Sequence, residues 1–220
     1  MQHKNFSWLL LALLVFLVGV PILDETELFP DRLARSLIVS WLLVVGVWSL
    51  RGFGRYFKVG IGLAIAGVVL NVISVRSGAP VSIFGGYGAL IGFLLVAIWC
   101  TLRQVAFDTD ISVNRLVGAV SVYLMLGVLW ATAYTMVEHI WPGSFESLSQ
   151  HFGCRCLNDW LYFSFVTMTT LGYGDLLPLS SAARLLAYMQ AVVGQFYIAI
   201  LVAGLVSAYI SSHQNEDVRD

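Results

Sequence analysis

Charged residues are scarce in this sequence. Of its 220 residues, 11% are charged and 59% are hydrophobic, whereas a soluble domain carries about 25% charged residues. Twelve Lys+Arg and thirteen Asp+Glu cannot clothe a water-soluble fold of this length, which excludes a soluble enzyme. A net charge of −1 without a basic run excludes nucleic acid as a partner. Cysteine is scarce too, and three are too few for a disulfide framework. Cys100 reads as an inert buried thiol. Cys154 and Cys156 are too close in sequence for an unstrained mutual bridge, and with His151 they fall one ligand short of a metal site. They read as loop thiols, free or locally paired. The sequence also lacks an internal repeat, a long linker and any low-complexity tract. It has no intramembrane Ser/His or Asp pair and no H-E-x-x-H, so an embedded enzyme has no chemistry to work with.

Long apolar runs are what remain, and their solvent must be lipid. A helical span needs about 20 apolar residues. Six such segments can be drawn: Phe6 to about Leu23, Ser36 to Leu50, Val59 to Val75, Val81 to about Leu102, Val113 to Ile140, and Ala182 to Ile210. Each predicts a helix, because a barrel would need alternating segments of about ten residues. The first has no small-residue cleavage site before Asp24, so it is expected to stay as a span rather than be removed as a signal peptide. Arg51, Arg55 and Lys58 mark the inner side, which puts both termini in the cytoplasm. Between the fifth and sixth segments lies a polar stretch, Pro142 to Asp159, followed by the short apolar run Trp160 to Thr170. That run is half a span long and predicts a re-entrant, pore-lining helix. Asn158 or Asp159 is well placed to cap it.

Residues Thr167 to Asp175 read T-M-T-T-L-G-Y-G-D. This motif resembles the selectivity filter of potassium channels, T-V-G-Y-G, with Leu171 in place of Val. The order around it matches as well: apolar span, polar loop, half-span, motif, long span, over roughly residues 113–211. The resemblance implies that the carbonyls of Thr170, Leu171, Gly172 and Tyr173, with Gly174 completing the loop, replace the water shell of K+. It also implies a homotetramer in the lipid bilayer, since each chain supplies one filter loop and the ring needs four. Asp175 and Tyr162 should meet by a hydrogen bond, Tyr162 standing where many members carry Trp. Phe163 also departs from a common Trp, and Thr167 is the candidate replacement partner for the Tyr173 hydroxyl. Val166 stands where one bacterial type carries an acid. Glu138 resembles an acid that accepts hydrogen bonds from the loop after the filter, although a solvated surface Glu fits its position equally well.

In the last segment Gly194 stands where the family's inner helix has a glycine, read as a hinge with close packing as the alternative. Gly204 reads as a packing glycine. Gln195 is the polar residue near the middle of the span, facing either the cavity or a neighbouring helix. Ile198 and Val202 fall where an apolar throat would gate by dewetting. Residues 1–110 form the expected four-helix front module, 111–211 the pore domain and 212–220 a short tail. The fourth segment carries no arginine ladder, so this module resembles a degenerate voltage sensor that cannot move charge through the field. No small-molecule regulator is legible. The expectation is an all-α, six-span K+ channel subunit of the cell membrane with K+ as its only ion. A weakly selective cation channel and a non-conducting accessory or sensor subunit are the alternatives.

Overall fold

The computed structural model describes residues 6–25, 55–77, 80–107, 113–147 and 157–217, together with Ser40, Leu43, Gly46 and Val47. The fold is mostly helical. Its elements are α1 (Ser7–Glu25), α2 (Arg55–Ser77), α3 (Pro80–Phe107), α4 (Val113–Ile140), β1 (Phe145–Ser147), α5 (Leu157–Met168), β2 (Leu176–Pro178) and α6 (Ser181–Asp217). Four of these helices are long and apolar enough to cross a membrane: α2, α3, α4 and α6. The apolar stretch of α1, Ser7–Ile22, is shorter than in those four. The second expected span, His151, Cys154, Cys156 and the boundary at 110 lie outside the described residues, apart from the four positions just named.

Local chemistry explains where the elements begin and end. Pro80 opens α3, where its fixed φ suits a first turn and its missing N–H costs nothing. Ser180 caps α6, its Oγ accepting from the Ala183 amide at 3.2 Å. α4 closes on a turn in which Gly143 adopts φ +85°, a conformation that an L side chain resists. α5 begins at Leu157, so Asn158 and Asp159 lie within its first turn and do not cap it. Asp159 there still favours the positive end of the helix dipole. α6 runs to Asp217, well past the expected end of the span. Residues 211–217 contain neither Gly nor Pro to stop it.

Packing sets α4 at the centre. α2 packs along α3, α3 along α4, and α1 lies against α4 and touches α5. The Phe6 amide donates to Asn114 Oδ1 at 2.9 Å, tying the start of α1 to the start of α4. Half of the apolar span of α4 is buried within the chain, against 11% for α6. The core joins Leu13, Phe16, Leu43, Phe93, Val122 and Met125 to an aromatic group farther along α4. In that group Tyr134 meets Phe145 and Phe163 edge-on, at ring centroid distances of 5.6 and 4.9 Å, and Phe145 meets Trp160 at 4.9 Å. These contacts hold α5, a helix of only 12 residues, against the side of α4.

Candidate functional site

The motif lies in the turn between α5 and β2. Its backbone alternates in hand: Thr170, Gly172 and Gly174 have φ of +61°, +57° and +77°, and no positive φ occurs at Leu171 or Tyr173. Two glycines adopt this conformation without penalty. Thr170 does not, and a non-glycine residue held there costs on the order of 1–2 kcal/mol.

Hydrogen bonds show which way the peptides face. The amides of Leu171 and Gly172 both donate to one acceptor, the Val166 carbonyl, at 3.0 and 3.4 Å. In a trans peptide the C=O points opposite to the following N–H, and no cis bond occurs among the described residues. The carbonyls of Thr170 and Leu171 therefore both point away from α5, side by side. An ordinary strand would alternate them. The Thr170 amide donates to the Thr167 carbonyl at 3.1 Å, which folds the loop back from the end of the helix.

Tyr162 and Asp175 come together. Tyr162 Oη donates to Asp175 Oδ2 at 2.5 Å, and Asp175 Oδ1 accepts from the Leu176 amide at 3.1 Å. The Tyr173 ring stacks on Tyr162, with 6.4 Å between centroids and 4° between planes. Among the described residues no hydrogen bond joins Thr167 to Tyr173. Tyr162 has taken the ring of Tyr173, and the Thr167 carbonyl serves Thr170. Phe163 turns the other way, into the aromatic group around Tyr134.

Glu138 is buried, and its Oε1 accepts from the Gly143 amide at 2.9 Å. It braces the turn after its own helix, which removes the reading of a solvated surface acid. The segment after the motif is anchored to that turn through Ser144. The Ser144 carbonyl accepts from Leu179 and Ser180 at 2.8 and 3.3 Å, and β1 pairs antiparallel with β2, Phe145 opposite Pro178.

Gly194 lies inside an unbroken helix. A Cβ built there would sit 2.6 Å from Met168 Cγ and 3.1 Å from the Met168 carbonyl oxygen. This close approach explains the glycine without a hinge. Gly204, expected to pack, has nothing within 4 Å of an added Cβ in the single chain. Ile198 and Val202 are exposed on the single chain, and so is Gln195. Among the described side chains of α6 the buried polar one is Gln190, which bonds to Ser164 of α5 and Tyr134 of α4. The motif does not point to it. The signal was there: Ala183, Ala187 and Gly194 mark a stripe of small residues at helical spacing, Gln190 falls on it, and Gln195 lies about 100° off it.

Residues 122–211 match a family model described as "Ion channel". The chain is 32% identical over 108 residues to two-pore potassium channel 2 of Arabidopsis thaliana, a match covering 49% of this chain and 22% of that protein. It is 47% identical over 74 residues to two pore potassium channel b of Oryza sativa subsp. japonica, covering 33% and 18%. The inward rectifier potassium channel Kirbac3.1 of Paramagnetospirillum magnetotacticum is 33% identical over 90 residues, covering 39% and 26%. Residues 122–211 are thus similar to an ion-channel domain, and these relatives are named as potassium channels. The chain's matches span about a quarter or less of the length of these relatives. No solved structure matches. The stretch matched by the family model takes in most of α4, all of α5, the motif and α6 to residue 211.

Proposed function

We infer that the chain is one subunit of a potassium-selective channel that conducts passively, and that residues 170–174 are its ion pathway. One observation carries the reading most: two successive carbonyls, Thr170 and Leu171, turned to the same side by amides that share the Val166 carbonyl. Continued alternation through Gly172 and Gly174 would align the carbonyls of Gly172 and Tyr173 in the same row. Such a row offers dehydrated K+ the oxygens it loses. Asp175 and Tyr162 then brace the outer end of the row. The C-terminal end of α5, with its partial negative charge, faces the inner end.

One loop makes one wall of a pore, so the reading requires a homotetramer with cyclic symmetry. The exposure of α6 fits that arrangement. Phe196 and Ile200 are left uncovered by the chain's own helices and would meet lipid or neighbouring subunits. Ile198 and Val202 form the apolar throat in this arrangement. The membrane path comprises six spans with α5 re-entrant, both termini cytoplasmic, in the cell membrane. Steep voltage gating is not expected. The one described cation within α3, Arg103, stands near the helix end and is exposed, and each charge moved across the field is worth only about 2.3 kcal/mol per 100 mV.

Flux from liposomes tests the reading. Purified protein should pass K+ much faster than Na+, and barium should block it. Equal K+ and Na+ flux would leave a weakly selective cation channel. The absence of flux under all conditions would favour the accessory subunit.

A further inference from the structure

The back of α5 carries a polar linkage that the reading of the filter does not use. Gln190 of α6 is fully buried. Its Nε2 donates to the Ser164 carbonyl at 2.9 Å and to Ser164 Oγ at 2.7 Å. Its Oε1 accepts from the Tyr134 hydroxyl of α4. Ser164 Oγ in turn donates to the Gly127 carbonyl of α4 at 2.6 Å. Both amide hydrogens of Gln190, both hydroxyl hydrogens and the amide oxygen are thus engaged. Tyr134 and Ser164 are themselves buried. A fully satisfied network in a low-dielectric interior fixes one geometry, because any sliding leaves a buried polar group unpaired.

The linkage acts on the filter through a short lever. Ser164 precedes Val166 by two residues on the same helix, and Val166 provides the carbonyl that orients the Leu171 and Gly172 amides. On either side of the linkage α5 is held at close range, by Gly127 against the Phe165 ring and by Gly194 against Met168. Apolar contacts of that kind limit approach but allow rotation about the helix axis. The directional bonds of Gln190 do not.

We propose that Gln190 is a positioning residue for ion selection, locking the rotation of α5 through Ser164 and Tyr134 and so setting the spacing of the filter carbonyls. The proposal rests on the reading of residues 170–174 as the ion pathway. Gln190→Met keeps the length of the side chain and removes its donors and acceptor. Tyr134→Phe removes a single bond with almost no change of volume.

Each variant, and the pair combined, is compared with the full-length protein in liposomes for the Rb+-to-K+ permeability ratio, which responds to carbonyl spacing. Amide hydrogen exchange over residues 166–172 is followed in parallel. The expected result is a ratio shifted by roughly two- to tenfold, the range that one buried hydrogen bond is worth, with faster exchange. The double variant should be less than additive, since both changes break one linkage. If Gln190→Met does not assemble, Tyr134→Phe decides alone. An unchanged ratio in an assembled variant overturns the proposal whatever the exchange shows, because it leaves Gln190 a purely structural residue. Should the unaltered protein carry no K+ at all, the reading of the filter fails instead. The linkage is then judged by exchange, and unchanged exchange overturns it.

Discussion

Replacing Gly194 by alanine separates close packing from hinge bending. Any Gly→Ala change within a helix gains about 1 kcal/mol in backbone propensity. Gly204 in the same helix and Gly62 in α2 have nothing within 4 Å of an added Cβ, so each should show that gain alone. At Gly194 the new methyl would lie 2.6 Å from Met168 Cγ and 3.1 Å from the Met168 carbonyl. Met168 is fully buried and has little room to retreat. Overpacking of this kind costs about 1–3 kcal/mol. The difference between Gly194→Ala and the two controls should therefore be about 1–3 kcal/mol per chain, summed over every subunit of the assembly. Thermal dissociation of the purified assembly in detergent measures it, with all three variants run side by side. Because Met168 is followed by Thr169 and Thr170, the same change should also disturb ion selection. A hinge predicts a different result: altered open probability, with stability and selectivity like those of the controls. If Gly194→Ala dissociates at the same temperature as Gly204→Ala and Gly62→Ala, the packing argument is wrong.

Two further changes probe the proposed filter loop. Tyr162→Phe removes the 2.5 Å hydrogen bond to Asp175 and keeps the ring that stacks on Tyr173. It should weaken the outer end of the loop by about 1.5–3 kcal/mol per chain, as for a bond to a charged group, and currents should decay faster during maintained conduction; a decay unchanged from the parent would remove Tyr162 from the bracing role. Gly172→Asp places a charged side chain at φ +57°, where an L residue is strained by about 1–2 kcal/mol. It should abolish the preference for K+ over Na+ in the liposome assay, and retained preference would mean that the ions pass elsewhere.

The parts of the fold that could be read from the sequence are those governed by local chemistry. The apolar runs at 59–75, 81–102 and 113–140 predict α2, α3 and α4, because length and polarity alone decide whether a helix suits lipid. The turn of the motif is legible for a similar reason: Gly172 and Gly174 supply torsions that few residues can, and they flank one Tyr. The Tyr162–Asp175 contact could be named from the resemblance, since the two residues hold matching places around the motif. Gln190 could not. Its partners lie 26 and 56 residues away, and only the crossing of α4, α5 and α6 brings them together. Gly194 illustrates the same limit. A glycine in an apolar helix is silent about whether it bends or admits a neighbour until Met168 is seen against it.

The arrangement of burial makes a single argument of these pieces. α5 is the element that aims the loop, and it is gripped from behind by Tyr134, Gln190, Gly127 and Gly194. Its own chain buries Trp160, Leu161, Phe163 and Ser164. The loop that it aims is left open: Leu171 is 55% and Tyr173 66% exposed on the single chain. An apolar Leu and a Tyr ring held outward on a strained turn are unfavourable in isolation. In the proposed fourfold assembly they would become favourable once neighbouring subunits cover them. Under the proposed fourfold assembly, the free energy of joining subunits and that of holding the filter carbonyls in line are therefore coupled. A change that loosens α5 should lower both together, whereas a change confined to lipid-facing residues of α2 should lower neither.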